Sequence, residues 1–115
     1  MLPQFMKLVD EAKKEIKEIT VDDLKKMLTG QDNFTLIDVR EPNEVAQGHI
    51  GNAVPVPRGV LELQIDSVTQ GYEEAIVLYC GGGNRSALAA ASLKKMGFTN
   101  VMSLIGGWRA WCERG

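Results

Sequence analysis

Cysteine and histidine are scarce in this chain. Its 115 residues include two cysteines, Cys80 and Cys112, and one histidine, His49. Two distant cysteines and one histidine lack the spacing of zinc ligands, so we expect no metal site. Neither sign of charge is in clear excess, since 13 Lys and Arg stand against 15 Asp and Glu, for a net charge of −2. Broad binding to nucleic acid or to an anionic membrane needs a basic excess, so we predict neither kind of partner.

Long apolar segments are also missing. No run approaches the roughly 20 residues of a membrane span. The first residues, MLPQFMKLVDEAKKEIKEI, are too charged for the apolar segment of a secretory signal. We therefore expect a cytoplasmic protein whose cysteines are reduced thiols. The length fits a single domain, and 44% apolar residues suffice for a core without disulfides.

The N-terminal part of the chain predicts two helices. Apolar residues between positions 4 and 19 recur at spacings of three and four, as in an amphipathic helix. We expect residues 1–19 to be a helix appended to a domain that covers residues 20–115. Thr20 and Asp23 resemble a capping box that opens a second helix, and Gly30 is placed to end it.

The rest of the chain alternates strands with helices. The segment AIVLYC is continuously apolar, which is typical of a strand in the middle of a parallel sheet. Helices are expected over 86–96 and after Gly106, where Trp108 and Trp111 are predicted to be core residues. The alternation predicts an α/β domain with a mostly parallel sheet. The predicted strands are 34–39, a short one around 53–54, 75–80 and 100–104.

A glycine-rich turn joins the apolar strand to the alanine-rich helix, and Cys80 begins it. The first amides of a helix have no carbonyl partner, and the helix dipole adds positive charge at the same end. Gly81, Gly82 and Gly83 permit positive φ angles and a close approach to the backbone. We expect this loop to stabilise a Cys80 thiolate and to hold the sulfur where a reactant can contact it. A tight turn around an inert, buried cysteine is the competing interpretation.

Four further side chains are predicted around the loop. Arg85 is a permanent cation that would pair with an anionic substrate or line the rim. Asn84 can adopt a left-handed turn conformation, and Ser86 would cap the helix or donate to the sulfur. Arg58 would complete an anion site beside Arg85 or remain a solvated loop arginine, and both interpretations stay open.

Three stretches together resemble the rhodanese family of sulfurtransferases. They are LIDVREPNEVAQGHIGNAVPVP, IVLYCGGGNRSALAAASLKKMGFTNV and LIGGWRAW, and the resemblance spans residues 18–112. It implies a compact rhodanese-like α/β domain with a central, mostly parallel five-stranded sheet flanked by helices. Thiosulfate-preferring members often carry a basic residue directly after the cysteine, where this chain has Gly81, so the donor stays open.

The chemistry that the resemblance implies is sulfur transfer through a cysteine persulfide. The Cys80 thiolate would take the outer sulfur of thiosulfate or of a low-molecular-weight persulfide. Cyanide, a thiol or an acceptor protein would then receive it. No cofactor is implied beyond the covalent persulfide, and a monomer and a homodimer are equally compatible. The alternative is a non-catalytic rhodanese-like sulfur carrier or protein-interaction module.

Loop length separates this interpretation from a phosphatase or an arsenate reductase. Related phosphatases use a Cys-x5-Arg loop, whereas Cys80 and Arg85 enclose four residues, and Ser86 stands where the phosphatase arginine would be. We therefore expect a sulfurtransferase loop.

The remaining candidates are predicted to be supporting residues. The resemblance implies that Asp38 and Arg40 brace the loop through hydrogen bonds and an ion pair, and for Asp38 the capping of a loop stays open as an alternative. Spacing favours Glu44 as the partner of Arg40. It places His49 in a structural loop. Cys112 would either resolve an oxidised Cys80 or pack in a helix, and packing is the favoured interpretation.

Overall fold

Within residues 1–114, which the computed structural model of the chain describes, five parallel strands form one sheet. Their order is β1-β5-β4-β2-β3, so the strand that precedes Cys80 lies in the centre. This confirms the predicted α/β fold. The strands are β1 (Lys17–Ile19), β2 (Phe34–Asp38), β3 (Val54–Pro55), β4 (Ala75–Tyr79) and β5 (Val101–Leu104).

Helices cover both faces of the sheet. On one face α5 contacts β4 and β5, and α1 packs against α5, while α2 and α6 contact each other on the opposite face. Every helix in the described part of the chain is too short to span a bilayer. The helices are α1 (Pro3–Glu15), α2 (Val21–Thr29), α3 (Pro42–Val45), α4 (Leu61–Gln64), α5 (Asn84–Lys95) and α6 (Gly107–Arg114).

Strand β4 is apolar throughout because its two faces enter two different cores. Ile76 and Leu78 belong to the cluster under α5, together with Cys80, whereas Val77 and Tyr79 belong to the cluster under α2 and α6. Successive side chains of a strand point to opposite faces, so a central strand covered on both sides needs apolar residues at every position. Cys80 therefore continues the alternation and points toward the α5 side.

The predicted helix over 4–19 is wrong at its C-terminal end. Helix α1 ends at Glu15, and Lys17–Ile19 form β1, which pairs with β5 in register Lys17 to Met102. Ile19 is 5% exposed, within the second core cluster. An apolar residue at position 19 is compatible with the buried face of a helix and with the buried face of a strand. The segment forms a strand because it pairs with β5.

Helix α2 begins and ends as predicted. The Asp23 amide donates to the Thr20 hydroxyl over 3.1 Å, and the Thr20 amide donates to the Asp23 carboxylate over 2.9 Å. The hydrogen bond from the Thr20 amide is the main cause that lowers the pKa of Asp23. The helix stops before Gly30. The reciprocal capping box explains why α2 starts directly after β1.

Candidate active site

The carboxyl ends of β2, β4 and β5 meet at one edge of the sheet because the three strands are parallel. Asp38 ends β2, Cys80 follows β4, and Ser103 lies near the end of β5. Functional groups of open parallel sheets concentrate at this edge. The sheet thus brings together residues that are far apart in the sequence.

Main-chain amides point at the Cys80 sulfur. The Gly83 amide donates to Sγ over 3.1 Å, and the Ser86 amide donates over 3.3 Å. The Ser86 hydroxyl lies 3.5 Å from the same sulfur. The two amide donors belong to the first turn of α5 and the residue before it, and amides of this kind stabilise negative charge on sulfur, whereas the Ser86 hydroxyl oxygen accepts from Sγ.

Burial of Cys80 differs from the expectation. The residue is only 1% exposed and belongs to the core cluster under α5. The prediction that the sulfur is accessible to a reactant is therefore wrong for this conformation. The amides reach the sulfur because the side chain turns inward beneath the start of α5, rather than outward into solvent.

The glycines of the loop have separate structural tasks. Gly83 has φ +105° and precedes the first residue of α5, so it takes the left-handed conformation predicted for Asn84. No residue other than glycine has a positive φ within residues 1–114, so the prediction for Asn84 is wrong. A Cβ on Gly81 would lie 3.2 Å from Arg85 Nη2, and one on Gly82 would lie 3.6 Å from Arg109 Nη1. Two guanidinium groups therefore lie against the bare Cα atoms of the loop.

Ser86 is the third residue of α5 and does not cap the helix. Its hydroxyl lies 3.3 Å from the Gly83 carbonyl oxygen and 2.9 Å from the hydroxyl of Ser103. Ser86 and Ser103 are fully buried. The alternative prediction, that this hydroxyl donates to the sulfur, is right about its position and wrong about the direction, because the Cys80 sulfur donates to Ser86 Oγ. Ser103 was missed, although a polar residue inside the apolar strand VMSL was the signal for it.

Arg85 makes a bidentate ion pair with Glu44. Its Nη1 and Nη2 atoms donate to the two carboxylate oxygens over 2.8 and 3.0 Å. Hydrogen bonding to Arg85 is the main cause that lowers the pKa of Glu44 to about 2, and the same contact raises the pKa of Arg85. The predicted pair of Arg40 with Glu44 is wrong, because α3 begins at Pro42 and the two residues do not share a helix.

Arg40 instead pairs with Asp38 inside the protein. Asp38 is 0% exposed and Arg40 is 3% exposed, and Arg40 Nη2 donates to Asp38 Oδ2 over 2.7 Å. The same nitrogen donates to the Gly48 carbonyl over 2.7 Å, and the guanidinium lies 4.9 Å from the Trp108 ring centroid. Hydrogen bonding to Asp38 raises the pKa of Arg40 against the opposing effect of burial. This buried pair ties the end of β2 to the segment that carries Glu44.

Arg58 forms an ion pair with Glu62. Arg58 Nη1 lies 2.9 Å from Glu62 Oε2, and the Ser92 hydroxyl of α5 donates to the same oxygen over 2.5 Å. Burial works against ionisation of Glu62, but hydrogen bonds from Ser92 and Arg58 outweigh it and lower its pKa. Arg58 is therefore not a solvated loop arginine without a partner, and the structure does not present it as a free cation beside Arg85.

The start of α6 holds the loop from the other side. The Trp108 amide donates to the Cys80 carbonyl over 2.7 Å, and the Arg109 amide donates to the Gly81 carbonyl over 3.0 Å. Gly107 has φ +54°, and a Cβ there would overlap the Cys80 carbonyl oxygen. This contact was not predicted from the sequence, although the Gly-Gly pair before Trp108 indicates a close approach of two backbones.

The other candidates lie outside this cluster. Cys112 lies in α6, as predicted, but its side chain is exposed, so the prediction that it packs against the protein is wrong. Trp108 and Trp111 are half-buried and pack against the second core cluster, which is less burial than a core position implies. His49 is exposed. No three His, Cys, Asp or Glu side chains among residues 1–114 are grouped as metal ligands would be.

Known proteins share this sequence and this fold. The sequence profile described as Rhodanese-like domain matches residues 20–114. A protein named Sulfurtransferase from Allochromatium vinosum is 32% identical over 100 residues, 87% of this chain and 92% of that protein. YrkF of Bacillus subtilis, whose name proposes a sulfur-carrier role, is 32% identical over 84% of this chain and 51% of that protein. A solved structure from Rhodopseudomonas palustris, of unknown function and suggested as a tyrosine phosphatase, superposes with a TM-score of 0.86 at 32% identity, covering 96% of this chain and 90% of that one.

Proposed function

The chain belongs to the rhodanese-like domain family, and we propose that it is a sulfurtransferase that carries a sulfane sulfur as a persulfide on Cys80. The observation that carries this proposal is the donation of the Gly83 and Ser86 amides to Sγ at 3.1 and 3.3 Å. Such donors favour a thiolate, which is the nucleophilic form of cysteine. A structural cysteine in an apolar core needs neither of them.

The proposed reaction forms one sulfur–sulfur bond and breaks another. The Cys80 thiolate attacks the outer sulfur of thiosulfate, the Cys80–S bond forms, and the S–S bond of thiosulfate breaks. Sulfite leaves with the electron pair of that bond, and Cys80 retains a persulfide anion. A thiolate or cyanide then attacks the outer sulfur of the persulfide and restores the Cys80 thiolate. No redox partner or proton donor is required for the balance.

The glycines of the loop serve both halves of this cycle. Cys80 is 1% exposed, so a donor reaches Sγ only if the loop is displaced, and consecutive glycines allow this with little steric resistance. The persulfide moves the negative charge one atom outward, toward the loop backbone. Main-chain amides can stabilise this charge without the proton exchange that an acidic side chain would bring.

Mass spectrometry of the intact protein tests the proposal. Incubation with thiosulfate should add about 32 Da, one sulfur atom, to the wild-type chain. Cyanide should remove the added mass. Cys112→Ser is the matched control and should still gain the sulfur, while Cys80→Ser should not. A wild-type chain that gains no mass with thiosulfate, glutathione persulfide or polysulfide would refute the proposal.

A sulfur carrier is the second candidate, supported by the similarity to YrkF. A carrier would form the same persulfide but would release sulfur to a partner protein and not to cyanide or small thiols. The rate at which persulfidated protein loses its extra sulfur to cyanide separates the two functions. Hydrolysis of an aryl phosphate tests the phosphatase suggestion attached to the Rhodopseudomonas palustris structure, and we expect none, because the Cys80–Arg85 loop has six residues.

A further inference from the structure

We infer that Arg109 is the residue that recognises the negative charge of the reactant that approaches Cys80. The anion would be the sulfonate of thiosulfate or the carboxylate of a small persulfide. The identity of this anion rests on the proposed function, whereas the positive charge beside the sulfur does not. Arg109 is thus a specificity-determining residue, positioned by the loop that it contacts.

Two contacts place Arg109 over the loop. Its amide donates to the Gly81 carbonyl over 3.0 Å, which fixes the first turn of α6 against the residue after Cys80. Its side chain lies against Gly82, since a Cβ there would be 3.6 Å from Nη1, 3.9 Å from Cζ and 4.0 Å from Nη2. These three guanidinium atoms therefore lie within van der Waals range of the position that glycine leaves bare. A side chain at position 82 would compete for this space.

The pairing of the other arginines leaves Arg109 as the one arginine without an ion pair among residues 1–114. Each of them makes an ion pair with a carboxylate, whereas Arg109 is exposed and makes no ion pair or side-chain hydrogen bond with residues 1–114. The pairs are Arg40 with Asp38, Arg58 with Glu62, Arg85 with Glu44 and Arg114 with Asp22.

The charge balance at the loop points the same way. Arg85 and Glu44 cancel each other beside Gly81, and Glu41 is a further carboxylate near Arg85, so the guanidinium of Arg109 is the cation at the loop that makes no ion pair among residues 1–114. A guanidinium presents paired N–H groups that match the oxygens of a sulfonate or a carboxylate. An anion held over Gly82 lies two residues along the chain from the nucleophile. Arg109 can therefore orient the charged end of a donor while the sulfur end enters toward Cys80.

The two alkylating reagents iodoacetate and iodoacetamide test this inference without relying on sulfur transfer. They are nearly identical in size, and only iodoacetate is anionic. All variants carry Cys112→Ser, so that Cys80 alone reacts. We expect Arg109→Gln to lower the ratio of the iodoacetate rate to the iodoacetamide rate by about fivefold, as for one exposed ion pair. Arg109→Lys should retain part of the preference.

Arg114→Gln is the matched control, because it removes an exposed arginine from the other end of α6. It should leave the ratio within about 1.5-fold of the parent, because the charge of Arg114 is already paired with Asp22 and exposed charges are screened by salt. An unchanged ratio in Arg109→Gln, or an equal fall in Arg114→Gln, would overturn the inference. If thiosulfate adds no sulfur to the parent protein, the proposed function fails, while the alkylation ratio still decides the role of Arg109.

Discussion

A methyl group at Gly107 tests whether α6 and the Cys80 loop are held as closely as the structure shows. In Gly107→Ala the new Cβ would overlap the Cys80 carbonyl oxygen and lie 3.0 Å from the carbonyl carbons of Cys80 and Gly81. These are main-chain atoms, so no side-chain rotation relieves the collision. The loop and the helix would have to separate, which breaks the 2.7 Å hydrogen bond from the Trp108 amide to the Cys80 carbonyl.

The size of the effect follows from two costs. Gly107 has φ +54°, and an L-residue in the left-handed region costs about 1 kcal/mol. Overpacking against atoms that cannot move freely costs about 2 kcal/mol more. We therefore expect Gly107→Ala to lower the free energy of unfolding by about 3 kcal/mol. It should also lower the rate of persulfide formation, because Cys80 moves with its carbonyl.

Urea denaturation measures this loss, and two other glycines provide controls. Gly51 has φ +32°, and a methyl group added there would meet no atom within 4 Å, so Gly51→Ala isolates the backbone cost of about 1 kcal/mol. Gly59 has open space and no positive φ, so Gly59→Ala should change stability by less than about 0.5 kcal/mol. If Gly107→Ala is no more destabilising than Gly51→Ala, the close contact between α6 and the loop does not exist in solution.

Two further predictions concern the buried and half-buried polar pairs. Glu44→Gln removes the ion pair with Arg85, and we expect a loss of about 0.5–1 kcal/mol at pH 7, because both side chains are about one-third exposed. Since the folded pKa of Glu44 is about 2, below its ordinary value of 4.5, this contribution is complete above pH 4.5 and is lost as the pH falls toward 2. Urea denaturation across this range should show the wild type and the variant converging, and a constant difference would contradict the pairing. Ser103→Ala removes the 2.9 Å partner of the Ser86 hydroxyl and should cost about 1 kcal/mol, whereas the exposed control Ser67→Ala should cost less than about 0.5 kcal/mol, and equal losses would argue against the buried contact.

The segment that carries Cys80 could be predicted from local sequence. The run AIVLYC needs apolar residues at every position because β4 faces two cores, and the structure places β4 at Ala75–Tyr79. Helix α5 begins at Asn84, two residues before the predicted start, because Gly83 takes the left-handed conformation at its N-terminus. Local sequence preferences therefore determine β4 and α5, and only the ends of these elements differ from the prediction.

The boundary between α1 and β1 could not be predicted in this way. Ile16 and Ile19 fit the helical spacing of the preceding residues, yet Lys17 pairs with Met102, 85 positions along the chain. The local sequence pattern carries no information about the hydrogen bonds that β5 makes with this segment. Tertiary pairing therefore outweighs helical periodicity at the end of α1.

The sequence by itself predicted one cysteine at the start of a glycine-rich loop, followed by a helix whose first amides can donate to its sulfur, because the strand, the glycines and the helix are all local features. The tertiary structure decided which arginines have a carboxylate partner. Arg85 lies 41 positions from Glu44, and nothing in their spacing predicts that the pair forms. An ion pair depends on which strand ends the sheet brings together, and the same assembly leaves Arg109 unpaired over the loop within the described residues.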